Sequence, residues 1–184
     1  MDNFAEHLVK KELTGSDKAK RVIILVGGIV IAVMLVVFSV LMLGQGLLPF
    51  VGLALAAVTG YGTYFIVSNM YVEYEYTFTN GDLDVDKIIA KKKRREMLSV
   101  SVGKFREFGR YDDSVPEETD DMTVVFATSN IASEEWYADF DHEAYGSTRL
   151  IFCPNENMIE NMKKNLPRAL RAKLEENEDK ELSE

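Results

Sequence analysis

Residues 22–70 contain no charged side chain, although charged residues make up 28% of the chain. That stretch limits the fold more than any other feature. It holds two apolar runs, Val22–Gly44 and Leu47–Asn69. Each exceeds the roughly 20 residues needed to cross a bilayer core. Both are rich in β-branched residues, yet only a helix satisfies all the backbone groups of such a segment in lipid. The link Gly44–Gly46 is too short for anything but a turn. The expectation is therefore a transmembrane helical hairpin over residues 21–70, with spans at 22–44 and 47–69. Pro49 falls in the first turn of the second helix, where its missing N–H costs little. The first run does not read as a signal peptide. It is longer than the roughly 7–15 residues of a secretory apolar region, follows a long polar segment and precedes no small-x-small cleavage site.

Lysine and arginine set the orientation. Lys10, Lys11, Lys18, Lys20 and Arg21 precede the first span, Lys87 and Lys91–Arg95 follow the second, and the connecting turn has none. The positive-inside rule then puts both termini in the cytoplasm, with the chain a two-helix protein of the cell (plasma) membrane. Tyr61, Tyr64 and Tyr71 lie where an interfacial aromatic belt would fall. Small residues recur at four-residue spacing, Gly28 and Ala32 in the first span and Gly52, Ala56 and Gly60 in the second. Such positions let helix backbones approach closely, within the hairpin or across a homodimer. No ionisable residue lies in either span, so the usual marker of an ion or proton path is missing.

Ahead of the spans, residues 1–20 read as a short amphipathic segment. A helix there would put Phe4, Ala5, Leu8 and Val9 on one face, with Asp2 as its cap and Thr14–Asp17 ending it. His7 has no ligand set around it and reads as a surface residue.

After Tyr71 the apolar period changes to two. Asn80-Gly81 inside "YVEYEYTFTNGDLDVDKII" is a strong hairpin signal. A two-residue turn there sets Phe78 opposite Leu83, Tyr76 opposite Val85, Tyr74 opposite Lys87 and Val72 opposite Ile89. The same register brings Glu75 against Asp86, an unfavourable like-charge pair. A one-residue slip would put the apolar set on the wrong face, so the register stands. Further strands are expected at Glu96–Val102 and at Met122–Ser129, the second buried, with an acidic loop 112–121 between them. A second hairpin is expected around Tyr145-Gly146. Asn155 then caps a helix whose apolar stripe is Met158, Ile159, Met162, Leu166, Ala169 and Leu170, kinked or restarted at Pro167. Residues 172–184 read as an acidic disordered tail.

The hairpin register also bears on "KKKRR", Lys91–Arg95, five consecutive cations in a chain of net charge -9. The second strand returns to Ala90, opposite Tyr71, close to where the chain leaves the bilayer. There each of Lys91, Lys92, Lys93, Arg94 and Arg95 gains about 1 kcal/mol at most from anionic lipid headgroups. Nucleic acid is not expected as a partner. The block lacks interleaved aromatics, and the acidic domain repels a polyanion. The same repulsion weighs against strong binding to bulk anionic lipid, but the tether already holds the block at the surface, so anionic headgroups or a protein partner are the expected contacts.

Sites of chemistry are not expected. "DLDVDK" resembles the start of a calcium loop, but Lys87 stands where glycine is needed and Lys93 where glutamate is needed. In "DFDHE", Asp139, Asp141 and Glu143 share one strand face and His142 points away, so acid–base or metal chemistry needs partners from elsewhere. Cys153, the single cysteine, forms no internal disulfide and reads as a small buried hydrophobe. No catalytic residue, metal or cofactor is assigned.

Antiparallel strands followed by one amphipathic helix form the pattern of an α+β domain, a β-barrel or sandwich closed by its C-terminal helix. With "YTFTNGDLDVDKI" and "TRLIFCPNENMIENM", the chain resembles uncharacterised Firmicutes membrane proteins that join a two-helix anchor to a bacterial PH-like domain, here 71–171. The resemblance implies a PH-like fold that binds lipid or protein, and it implies no catalytic residues. The acidic balance departs from that of phosphoinositide binders.

Overall fold

The structure, a computed structural model, describes residues 4–112 and 115–181. It divides into two compact units, one of them Leu13–Val72 with Ile89–Lys91.

That unit is a helical hairpin of α1 (Gly15–Leu41) and α2 (Leu48–Asn69). Thr14 caps α1 by accepting from the Asp17 N–H at 3.3 Å, so the "TGSD" stretch starts this helix. At about 1.5 Å per residue, α1 is about 40 Å long and α2 about 33 Å. Both are long and apolar enough to cross a membrane. The turn is wider than the expected three residues, running from Met42 to Leu47, and it bends at Gly44 and Gly46, both at positive φ.

The second unit holds two four-stranded sheets and two helices. The first sheet has the order β1-β2-β3-β4, formed by β1 (Phe4–Lys10), β2 (Val72–Thr79), β3 (Asp82–Ile89) and β4 (Lys93–Ser101). Residues 4–10 thus correct the expected amphipathic helix. They form an edge strand antiparallel to β2, with Ala5 opposite Phe78 and Val9 opposite Tyr74. Ala5 and Val9 are buried, whereas Phe4 and Leu8 face outward. The four apolar residues do not share a face, because the strand period is two. The Asp2 cap lies outside the described residues. Asn80 and Gly81 both have positive φ, the geometry of a type I′ turn. The Ala90 N–H donates to the Tyr71 C=O at 2.8 Å, as the two-residue register requires.

The second sheet has the order β5-β7-β8-β6, from β5 (Glu107–Arg110), β6 (Thr123–Ala127), β7 (Trp136–His142) and β8 (Gly146–Phe152). β6 runs parallel to β8 and the other pairs are antiparallel. The two sheets do not close into a barrel. β6 is an outer strand with Phe126 58% exposed, which corrects the buried strand expected there.

The core joins the sheets through Tyr76. Its ring meets Phe152 edge-on at 5.6 Å. Its hydroxyl donates to the Ala127 C=O and accepts from the Cys153 N–H. Phe78, Leu83, Val85, Phe140 and Leu150 complete the buried centre. Asn155 caps α3 (Glu156–Lys163) through the Met158 N–H at 2.9 Å. Pro167 separates α3 from α4 (Arg168–Glu181). Met158 and Met162 of α3 and Leu170 and Leu174 of α4 are buried, and so is Leu166 in the link between them. α4 therefore runs through most of the residues expected to be a disordered tail, and its i, i+4 stripe continues past the expected boundary at 171. Residues 182–184 lie outside the description.

Candidate functional site: the basic turn and its surroundings

The five cations divide among different positions. Ala90 and Lys91 both adopt positive φ, a left-handed conformation that turns the chain from β3 into β4. Lys91 and Lys92 lie in that turn, and Lys93, Arg94 and Arg95 begin β4. All five are exposed. Ile89–Lys91 belong to the same unit as the helical hairpin. In that unit Ala90 is bonded to Tyr71, two residues beyond the end of α2. The Arg21 guanidinium of α1 lies 4.5 Å from the centre of the Tyr71 ring, a cation–π contact.

Arg94 has a structural partner. It forms an ion pair with Glu75 of β2 and lies 3.7 Å from Asp86 of β3. The like-charge clash anticipated between Glu75 and Asp86 is thus relieved by a cation from the third strand. Burial pushes the Glu75 carboxyl above its ordinary value. Arg94 opposes that shift, while Glu6 and Asp86 reinforce it. Arg95 lies apart from this cluster, in a cleft with Lys87, Met97 and Phe126.

The small residues of the hairpin separate in the same way. A Cβ at Gly28 would overlap the Thr63 side chain, and one at Gly52 would overlap the Ser39 hydroxyl. Ala56 is buried and Ala32 half-buried. Gly28 and Gly52 are thus points of close approach between the helices. Gly60 departs from the expected stripe, because it is exposed and nothing lies within 4 Å of its Cβ position.

Two of the acidic candidates are engaged in ion pairs, and Glu143 lies exposed in the turn between β7 and β8. Asp139 receives Arg149 Nε and Nη2, each at 2.7 Å, with Arg149 only 2% exposed. Arg149 Nη1 donates to the Pro116 C=O at 2.8 Å, fixing the acidic loop where it is described. Asp141 pairs with Arg106. His142 Nδ1 accepts from the Ala144 N–H and the ring stacks on Tyr145. Among the described residues no group of three or more His, Cys, Asp or Glu side chains is placed to hold a metal. Cys153 is buried beside Ser129, and burial pushes its thiol up.

His7 is not a free surface residue. It is half-buried 6.2 Å from the Tyr76 ring, with Nδ1 3.2 Å from the Asn155 amide nitrogen, and burial lowers its pKa. Sequence reasoning missed this contact and the Arg149–Asp139 pair. The first depends on the β1–β2 pairing, which no local pattern announces. The second lies across the β7–β8 hairpin, whose turn the sequence signals but whose register the turn signal alone does not fix.

Two sheets with C-terminal helices, interrupted after the first strand by a pair of apolar helices, define a PH-like domain carrying its own candidate membrane anchor. The chain belongs to the family described as Bacterial PH-like domain (DUF6106), whose model matches residues 1–172. The matched span includes β1, both apolar helices and both sheets. No curated protein and no solved structure matches the chain significantly.

Proposed function

We propose that this is a non-enzymatic membrane protein. Its PH-like domain works at the inner leaflet of the cell membrane and rests Lys91, Lys92 and Lys93 on anionic lipid headgroups. The observation that carries this reading is the Ala90–Tyr71 bond, which ties the basic turn to the end of α2. At that level each lysine gains about 1 kcal/mol at most from an anionic surface, within a Debye length of about 8–10 Å. Arg94, held by Glu75 and Asp86, contributes less.

The orientation has support beyond the count of cations. β1 pairs with β2 and sets Lys10 opposite Glu73. The chain from 11 to 72 is therefore an excursion closed at its base. Two strands paired at that base belong on the same side of a bilayer, and the positive-inside rule makes that side the cytoplasm.

The test uses the full chain in nanodiscs of phosphatidylcholine, with or without phosphatidylglycerol. Amine acylation of individual lysines is read by mass spectrometry. The expected result is that phosphatidylglycerol protects Lys91–Lys93 and that high salt removes the protection. Equal labelling in both discs would reduce the block to a topology signal.

Gly60 favours a second reading. A bare glycine on an apolar helix is suited to close approach by a second copy, making the chain a homodimeric scaffold.

A further inference from the structure

Each sheet has two outer strands, and three of the four carry charges that discourage pairing with another chain. β1 has Glu6 and Lys10, β4 begins "KRRE", and β5 has Glu107 and Arg110. β6 reads "TVVFA", with no charge and no proline. An outer strand of that composition is an aggregation hazard unless something covers it. Among the described residues no strand pairs with its far side. Phe126 is 58% exposed and Val124 and Val125 are half-buried, so the strand presents apolar side chains along with its free backbone groups.

The space beside it is shaped. A cleft of about 410 Å³ is bounded by β6 on one side and by residues of β3 and β4 on the other. Tyr145 closes one end, its C=O accepting from the Thr123 hydroxyl at 3.2 Å. Lys87 and Arg95 supply two cations against one carboxylate, Glu96. Neither cation forms an ion pair with a described residue. The cleft thus joins a strand edge, an apolar strip and surplus positive charge.

We propose that β6 is a docking edge for an extended, carboxylate-bearing segment of a partner protein. The segment adds as a strand along β6 and lays apolar side chains on Val125 and Phe126. It sets carboxylates against Lys87 and Arg95. A lipid headgroup would use the cations and leave the strand edge bare. A second copy pairing β6 on β6 would bring two positive clefts together. An acidic peptide satisfies the edge, the apolar strip and the charge at once. This site does not depend on the lipid contact, because it uses Arg95 and Lys87 rather than Lys91–Lys93.

The experiment uses the full chain in nanodiscs of neutral lipid. Its probe is a fluorescein-labelled short peptide of alternating valine and glutamate, with a valine–lysine peptide as control. The glutamate peptide is expected to bind at least about tenfold more tightly. Phe126→Asp and Arg95→Glu should each weaken it by about tenfold, and changing Lys91–Lys93 to glutamine should leave it unchanged. Hydrogen exchange should slow at the β6 amides when peptide is added. If Phe126→Asp fails to fold by circular dichroism, Arg95→Glu carries the comparison, since its side chain is exposed. Equal binding of the two peptides, or binding indifferent to Arg95→Glu, overturns the proposal. So does concentration-dependent dimerisation in peptide-free discs that Phe126→Asp abolishes, which would give the edge to a second copy. Displacement of the peptide by inorganic phosphate at similar concentration would reduce the cleft to an anion contact and overturn it as well.

Discussion

A buried guanidinium next to a buried carboxylate is stable only as a pair. Arg149 meets Asp139 through two parallel 2.7 Å bonds, gives its third nitrogen to the Pro116 carbonyl, and lies 5.2 Å from the centre of the Tyr137 ring. The hydrogen bonds to Asp139 hold the guanidinium pKa above its ordinary value, so it stays charged. Arg149→Met leaves Asp139 buried without its cation and should cost about 3–5 kcal/mol. The double change Arg149→Met with Asp139→Leu should recover much of that loss, because the uncompensated charge goes too. Urea denaturation of the four chains of this cycle checks both statements. Equal stability of the single and double variants would show that the pair matters for packing alone. Arg94 acts by the same logic nearer the surface, where it removes the conflict between Glu75 and Asp86. The conflict itself could be read in the sequence, since a two-residue turn fixes which residues oppose each other across β2 and β3. The cation that resolves it comes from a third strand, whose alignment no local pattern dictates.

Among the elements, legibility followed how local the determining chemistry is. The β2–β3 hairpin could be read because Asn80-Gly81 favours the left-handed turn and the apolar parity permits one register. The α3 cap and the break at Pro167 are equally local. β1 was misread because a seven-residue window is too short for its period to decide between helix and strand. What makes it a strand is β2, which lies beyond both apolar helices. The exposure of β6 was hidden for a related reason: an apolar strand at a sheet edge has the same composition as one in the middle. In the helical hairpin, spacing identified the small residues but did not show which of them meet the other helix. Gly28→Leu should force α1 from Thr63 and destabilise the hairpin by about 1–3 kcal/mol. Gly60→Leu should leave the hairpin intact. Detergent-induced unfolding followed by circular dichroism separates the two. If the chain dimerises through α2, Gly60→Leu should also abolish concentration-dependent crosslinking in membranes, whereas unchanged crosslinking would end the dimer reading.

At the scale of the molecule, the helical excursion interrupts the domain rather than preceding it. β1 lies before α1 in the chain, yet it completes the sheet that begins after α2. A fragment starting at residue 71 therefore lacks an edge strand, and the buried side chains of Ala5 and Val9 with it. Deleting residues 1–12 should destabilise the strand-bearing unit by at least about 2 kcal/mol. Limited proteolysis should then cut β2–β4 faster, although neither apolar helix has been altered. Unchanged cleavage would mean that β1 is dispensable. The interruption also imposes an order on biosynthesis. β1 leaves the ribosome first and finds its partner only after both apolar helices have been made. Its Ala5 and Val9, buried once the sheet is complete, stay without a partner through that interval, so the first sheet closes only after both apolar helices have been synthesised.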